Sequence, residues 1–449
     1  MTHDPIKLTQ GSLPKQILLF GLPLILSNML QTLFNLADVA VVGRFVGAAA
    51  LGSVGSTSHL VYLFTSFLIG LGSGVNVLAA RYYGADNRPA LRQTVHTALG
   101  VCAAAGLLIL VLGEGFSRPM LALLGTKDDL IDGAALYLRI YFFGMPALAV
   151  YNHGSAVFSA VGDTRRPLRY LTAAGVLNVA LNLFFVIVCG LGVAGVALAS
   201  VLSQYLSAAL ILIALFRVKD DYGLVLRELR LHRRTAASVL ALGIPAGLQG
   251  AVFCIANLFI QSGVNSFDSV VVEGNAAAAN GDMILFNVMD AFYIAAASFI
   301  SQNLGAGKRD RIRRSYFLCV GYALAAAVVL GGLLLLLRRP FLSVFTTDTA
   351  VVEAGSRRLV IMCLSYWISA LMDGSSAAAR GLGRSLMPVV ITILGSCVFR
   401  VAWVYTIFRW FGTFDSLYLV YTFSWTITAA AEIWYFAKSY REVTAKLPA

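Results

Sequence analysis

An aspartate inside an otherwise apolar helix needs a physical reason. Asp38 closes a polar run of Asn28, Gln31, Asn35 and Asp38, spaced by three, four and three residues. On a helix those spacings put all four side chains on one face. A charge at the bilayer centre costs about 2.5–3.5 kcal/mol on insertion scales, so it normally faces a cavity or a partner. In an enclosed pocket such a carboxylate can take up and release a proton, or hold Na⁺ through its oxygens. The blander alternative is an acid at the membrane interface that caps a helix. Asn178 and Asn182 stand four residues apart on a later apolar run. They could face Asp38 or simply tie helices together.

The second half of the chain carries its own polar groups. Asn257, Gln261 and Asn265 share one helix face, Asp290 and Arg400 fall midway along apolar runs, and Asp373 follows Ser365 and Ser369 at four-residue spacing. With Gln31, these residues (Asn257, Gln261, Asp290, Asp373 and Arg400) are the candidates to line a substrate cavity. Asp290 and Asp373 would attract an organic cation. The alternative pairs Arg400 with one of them and leaves only packing. Asp282 and Glu432 are placed near the outer and inner interfaces, with no role assigned. The six cysteines are scattered singly and read as small apolar packers. His59 and His153 read as hydrogen-bonded packers. No phosphate-binding loop, nucleophile elbow or zinc-protease motif occurs. The expectation is a protein that is not an enzyme and holds no cofactor and no metal beyond a possible Na⁺ at Asp38.

The elements that must position these groups follow from composition. The chain has 449 residues, 59% hydrophobic and 12% charged, where a soluble domain is about 25% charged. That leaves too little polar surface for a water-exposed domain of this size, so the chain sits in the lipid bilayer. A soluble enzyme, a disordered chain and a nucleic-acid partner are excluded. Charge-free runs such as 16–37, 45–80, 93–113, 170–216 and 235–267 mark the spans. The 170–216 run breaks at Cys189-Gly190-Leu191-Gly192. The reading is all-α: twelve transmembrane helices near 15–42, 52–80, 92–114, 134–158, 168–189, 193–216, 237–263, 276–302, 315–337, 357–377, 386–408 and 414–437. Continuous apolar runs exclude a β-barrel, whose strands alternate. With both termini cytoplasmic, inner segments hold 24 of the 34 basic residues and outer loops nine, with Arg400 inside a span. Pro23, Pro146 and Pro245 should kink their helices. Gly43-x-x-x-Gly47 and Gly70-x-x-x-Gly74 suggest close helix packing.

The halves repeat. Gly21-Leu22-Pro23 and Asn35 match Gly243-Ile244-Pro245 and Asn257 at an offset of 222, and Gly84-Ala85, Gly162 and Pro167 match Gly305-Ala306, Gly383 and Pro388 at 221. Six spans per copy make the two copies parallel, with a site expected between them near the midplane. The domains are therefore 1–216 as an N-terminal six-helix lobe, 217–236 as a cytoplasmic linker, and 237–449 as a C-terminal six-helix lobe.

The stretch Gln31-Thr-Leu-Phe-Asn-Leu-Ala-Asp-Val-Ala-Val-Val-Gly-Arg-Phe-Val-Gly47 resembles the first-helix signature of the multidrug and toxic compound extrusion (MATE) transporters. Gly162-Asp-Thr-Arg-Arg-Pro167, Asn178-Val-Ala-Leu-Asn182, Gln302-Asn-Leu-Gly-Ala-Gly307 and Arg380-Gly-Leu-Gly383 resemble the family as well. The resemblance runs from about residue 12 to 440. It implies two V-shaped six-helix lobes, alternating access, and export of amphipathic, often cationic compounds driven by inward Na⁺ or H⁺. The family's first-helix acid falls on Asp38 and its tenth-helix acid on Asp373. Similar prokaryotic members have Asp where this chain has Asn182, and others have an acid on the helix that here carries Asn257, Gln261 and Asn265. Asp38, with Asn35, Asn178 and Asn182, is the expected cation-coupling group. The function expected is a secondary antiporter, a monomer in the bacterial plasma (inner) membrane, whose partners are the lipid bilayer and a small amphipathic substrate. A flippase for a lipid-linked precursor and a non-transporting receptor or scaffold are the alternatives.

Overall fold

A computed structural model of the chain describes residues 7–447. Apolar runs without alternation fold as helices because lipid leaves every backbone N–H and C=O to be satisfied within its own segment. The helices are α1 (Leu13–Phe45), α2 (Ala48–Gly84), α3 (Arg88–Leu123), α4 (Asp128–Phe142), α5 (Met145–Ala160), α6 (Arg165–Leu183) and α7 (Gly192–Arg217). After a loop come α8 (Arg233–Val264), α9 (Ser269–Gly305), α10 (Arg309–Leu336), α11 (Arg338–Ser343), α12 (Thr349–Gly381), α13 (Leu386–Thr392), α14 (Phe399–Trp403), α15 (Arg409–Phe411) and α16 (Phe414–Thr444). Wide π-helical turns at Phe184–Val188, Ile393–Val398 and Val404–Phe408 join or extend them. No strand occurs among the described residues. Among the described residues ten helical stretches are long and apolar enough to cross a membrane, with Arg165–Val188 and Leu386–Phe411 each counted as one, or eleven with α4 and α5 taken as one bent span. Most run past the apolar limits read from sequence, because a helix continues into the interface once its backbone is paired.

Two of the proline expectations divide. Pro23 and Pro245 lie inside continuous α1 and α8. Pro146 lies in the first turn of α5, where its missing N–H costs nothing. There it follows a break that bends α4 against α5 by 46°. Gly144 permits the break: a Cβ on it would fall 1.8 Å from the Gln204 side-chain oxygen of α7. The neighbouring Tyr205 hydroxyl donates to the Phe143 carbonyl at 3.1 Å.

The repeat is visible in the backbone. Left-handed residues end corresponding helices at Asp86 and Gly307 (φ 50° and 68°), Gly162 and Gly383 (95° and 82°), and Gly190 and Gly412 (66° and 61°). The pairs are 221 or 222 residues apart. The chain forms two compact units: Leu26–Ala251, and Leu8–Ile25 together with the chain from Val252 onward. Chain order would cut at 217–236, whereas packing assigns the first part of α1 to the second unit and the first part of α8 to the first.

Within the first unit, α2 meets α8 backbone to backbone. A Cβ on Gly70 would lie 2.1 Å from the Gly247 nitrogen, and one on Gly74 2.7 Å from the Gly243 nitrogen. Gly70-x-x-x-Gly74 is thus a packing motif. Gly43-x-x-x-Gly47 is not: nothing lies within 4 Å of a Cβ on Gly47, which serves instead by its φ of 115° between α1 and α2. The segment 217–236 is tied to α3. His96 accepts from the Val225 N–H at 2.9 Å, Thr97 donates to the Arg230 carbonyl at 3.2 Å, and Arg92 pairs with Glu228 at 2.7 Å. Within the second unit, α9 and α12 also approach closely, at Gly274 and Gly355.

Candidate functional site

The first unit brings α1, α6 and α7 together around Asp38. Glycine sets the distance. The ring of Phe34 on α1 occupies the place of a side chain at Gly175 on α6, since a Cβ there would lie 1.7 Å from it. One turn on from Phe34 is Asp38, and one and two turns on from Gly175 are Asn178 and Asn182. The sterics of one glycine therefore bring the acid to the two amides.

The amides and a hydroxyl close a ring on the carboxylate. Asn182 donates to Asp38 Oδ1, and Ser200 of α7 donates to Oδ2 at 3.1 Å. Asn182 also donates to Asn178 Oδ1 at 3.2 Å, and Asn178 donates to the Ser200 hydroxyl at 3.4 Å. Asn182 is fully buried, Asn178 and Ser200 nearly so, and Asp38 half-buried. Val41, Val42, Tyr137, Val196 and Ala197 form the apolar floor. Asn182 Oδ1 is buried and has no hydrogen-bond partner. The ring can therefore do two things. It satisfies an ionised carboxylate with donors, and it keeps an uncommitted amide acceptor beside the acid. A proton on Asp38 would need such an acceptor. A small hard cation would use the same oxygens as ligands.

Asn35 and Gln31 lie on α1 with exposed side chains, outside this ring. Ser200 is the member that spacing did not nominate. Its signal was Ser200, Ser203 and Ser207 at three and four residues on a charge-free run, which names a face but no partner.

The substrate-cavity candidates other than Gln31 fall in the second unit: Arg400 touches Asn257, Asp373 lies within electrostatic reach of both Asp290 and Arg400, and Gln261 sits among other amides. Arg400 on α14 is 2% exposed. It donates to Asn257 Oδ1 of α8 and to the Ser424 hydroxyl of α16, both at 3.3 Å. It lies over three rings, 4.5 Å from the centroid of Tyr421, 5.5 Å from Phe253 and 5.8 Å from Trp425. Its partners are thus amide, hydroxyl and π-faces rather than a carboxylate, and Asp373 acts on it only electrostatically. So enclosed, Arg400 is satisfied by protein groups and all but closed to solvent. Asp373 accepts from Ser369 at 3.1 Å. Asp290 is exposed on α9. Gln261 is half-buried in a chain of amides, donating to Asn265 at 2.9 Å and accepting from Asn275 at 3.3 Å. Asn275 in turn accepts from the Tyr418 hydroxyl at 2.5 Å.

Two acids given no role from sequence are held by protein groups. Asp282 pairs with Arg358, itself 6% exposed and over the Tyr418 ring. Glu432 is fully buried. His153 is buried with neither ring nitrogen hydrogen-bonded, so it packs by shape.

The MatE family model matches this chain twice, over residues 23–184 and 245–406. That offset of 222 is the one read from the sequence. The chain is 31% identical over 413 residues to the probable multidrug resistance protein YoeA of Bacillus subtilis, with 87% of each chain covered. It is 25% identical over 393 residues to a protein of Shewanella oneidensis named an FAD transporter, with 86% of each covered. A solved structure described as the outward-facing conformation of a multidrug resistance MATE family transporter of the MOP superfamily superimposes with a TM-score of 0.91 at 20% identity, covering 99% of this chain and 100% of that one.

Proposed function

Because this chain belongs to the MatE family and is a multi-pass multidrug efflux transporter rather than an enzyme, we propose that it is a cation-driven antiporter whose coupling group is Asp38. The observation that carries the proposal is the ring of Asn182, Asn178 and Ser200 on the Asp38 carboxylate. With Asp38 ionised, the donors of α6 and α7 hold α1 by charge-assisted hydrogen bonds. When H⁺ or Na⁺ arrives, the charge is neutralised and those bonds weaken. The Asp38 end of α1 is then free to shift against α6, cargo leaves, and the emptied protein returns to load again. Ion and cargo each lower the other's affinity by the same factor.

The cargo that fits this reading is amphipathic and cationic. Asp290 and Asp373 supply negative charge in the second unit, while Arg400 is enclosed among rings. A phosphate-bearing lipid precursor would need the accessible cation that Arg400 does not provide. The arrangement proposed is twelve spans in a monomer, both termini cytoplasmic, in the bacterial plasma membrane.

Purified protein in proteoliposomes tests this directly. Efflux of a fluorescent amphipathic cation should follow an imposed H⁺ or Na⁺ gradient, and Asp38→Asn should abolish it while inserting normally. Gradient-driven efflux at the wild-type rate by Asp38→Asn contradicts the role of Asp38. Lipid scrambling in place of cation efflux contradicts the antiport.

A further inference from the structure

Three pairs of polar side chains join α16 to the segment from α13 to α14. Thr392 donates to Glu432 Oε1 at 3.3 Å, Ser396 and Thr428 share a hydrogen bond of 3.0 Å, and Arg400 donates to Ser424 at 3.3 Å. Residues 392, 396 and 400 advance by four on one side, and 432, 428 and 424 recede by four on the other. The pairs are therefore the rungs of one antiparallel ladder, spanning about 12 Å. All six residues are buried, Arg400 at 2% exposure and the other five at 0%. The ladder is built around the π-helical turn Ile393–Val398, which carries Ser396. Such turns recur at functional sites. A Cβ on Gly395 would come 2.5 Å from the Thr428 hydroxyl, so this glycine allows the middle rung to close.

The end rungs carry charge. Arg400 is satisfied by Asn257, Ser424 and three rings. Glu432 is underprovided. A carboxylate offers about four acceptor sites, yet Glu432 receives one hydroxyl donor, and its Oε2 is buried without a partner. The elements packed most closely against α16 are α12, α13, α14 and the two π-turns beside them, while α10 stacks Tyr316 on Phe436 at 4.0 Å and α8 and α9 touch it further on at Leu417 and Tyr418. Of these, α12 brings Arg380 and Asp373 within electrostatic reach of Glu432, α14 brings Arg400 at the far rung, and α13 and the π-turns bring no charge. A metal ion would demand several oxygens at once, and the rung offers the carboxyl and Thr392. A proton needs only Oε2.

We propose that Glu432 is a second, proton-specific binding site. It alternates between a neutral acid, with the proton on Oε2 and the Thr392 bond kept on Oε1, and a carboxylate balanced by Arg380. The proton comes from bulk water and returns to it, so no other reactant is needed. The assignment of this proton to transport rests on the antiport reading above; the binding itself does not.

Infrared difference spectroscopy of the full-length protein in lipid, taken across a pH step, tests the site. The wild type should show a buried protonated-carboxyl C=O band that appears on acidification. Glu432→Gln should lose that band, Glu432→Asp should keep it at a shifted frequency, and Asp38→Asn should keep it unchanged. Thr392→Val should shift it, because only the hydrogen bond on Oε1 is removed; a purely structural Glu432 would show no titrating band to shift. A wild-type set of titrating bands that is unchanged in Glu432→Gln, apart from any band that Asp38→Asn removes, or the lack of any titrating band in the wild type, overturns the proposal. Loss of pH-gradient-driven efflux in Glu432→Gln supports the link to transport, and wild-type efflux in it refutes that link. If Asp38→Asn transports normally while the Glu432 band titrates, the Asp38 reading fails and the Glu432 site stands.

Discussion

In the first unit the joint between α1 and α6 closes on the carboxylate of Asp38; in the second, the corresponding joint between α8 and α14 closes on the guanidinium of Arg400. At the repeat offset of 222, Asn178 corresponds to Arg400 and Asn35 to Asn257. The same two helices of each copy thus meet over opposite charges. The difference is chemical as well as electrostatic. A carboxylate can lose its charge to a proton or share it with a small cation, whereas a guanidinium stays charged under all conditions met by a protein. Exposure follows the same division, with Asp38 half-buried and Arg400 sealed among Phe253, Tyr421 and Trp425. One copy of the repeat therefore holds a joint whose charge a proton or small cation can neutralise, and the other a joint whose charge is permanent.

The comparison can be broken at either joint. The largest effect is expected from Asp38→Asn, which keeps the shape of the ring but removes its charge. Gradient-driven efflux should fall to background in vesicles, with membrane insertion and melting temperature close to wild type. Gly175→Leu should come next. The Phe34 ring or α1 itself must then move off α6, and overpacking costs about 1–3 kcal/mol. A melting curve and an efflux rate together would show both losses.

Arg400→Met acts on the other joint and should divide the two readouts. Removing a desolvated cation–π contact costs about 2 kcal/mol or more, so the melting temperature drops. The folded fraction should still answer to the ion gradient; loss of the ion response there would mean that the second joint also switches. The smallest effect is expected from Ser200→Ala. It removes one donor from Asp38, worth about 1 kcal/mol, or about fivefold in the apparent affinity for the coupling ion. Titrating efflux against ion concentration measures it.

Much of this was legible beforehand, and for physical reasons. Unbroken apolar runs admit only helices, so the elements and the repeat follow from residue order. Asp38, Asn178 and Asn182 stand out because polar groups at helical spacing in lipid are costly and must face one another or a cavity. What stayed hidden needed information from more than one helix. Ser200 looks like any small residue until α7 is laid beside α1. The cage around Arg400 draws single aromatic residues from α8 and a pair from α16. Glu432 carries no spacing signal in the sequence, and only the packing of α16 shows it fully buried. Gly47 resembles a packing glycine by spacing, and only its backbone angle shows otherwise.

Equilibrium binding tests the central claim most directly. A fluorescent amphipathic cation is titrated into purified protein at several H⁺ and Na⁺ concentrations, for the wild type and for Asp38→Asn. The account predicts that at least one of the two ions weakens cargo binding to the wild type and that this dependence vanishes in Asp38→Asn. An Asp38→Asn protein whose cargo affinity still falls with the ion, to the same degree, would contradict it.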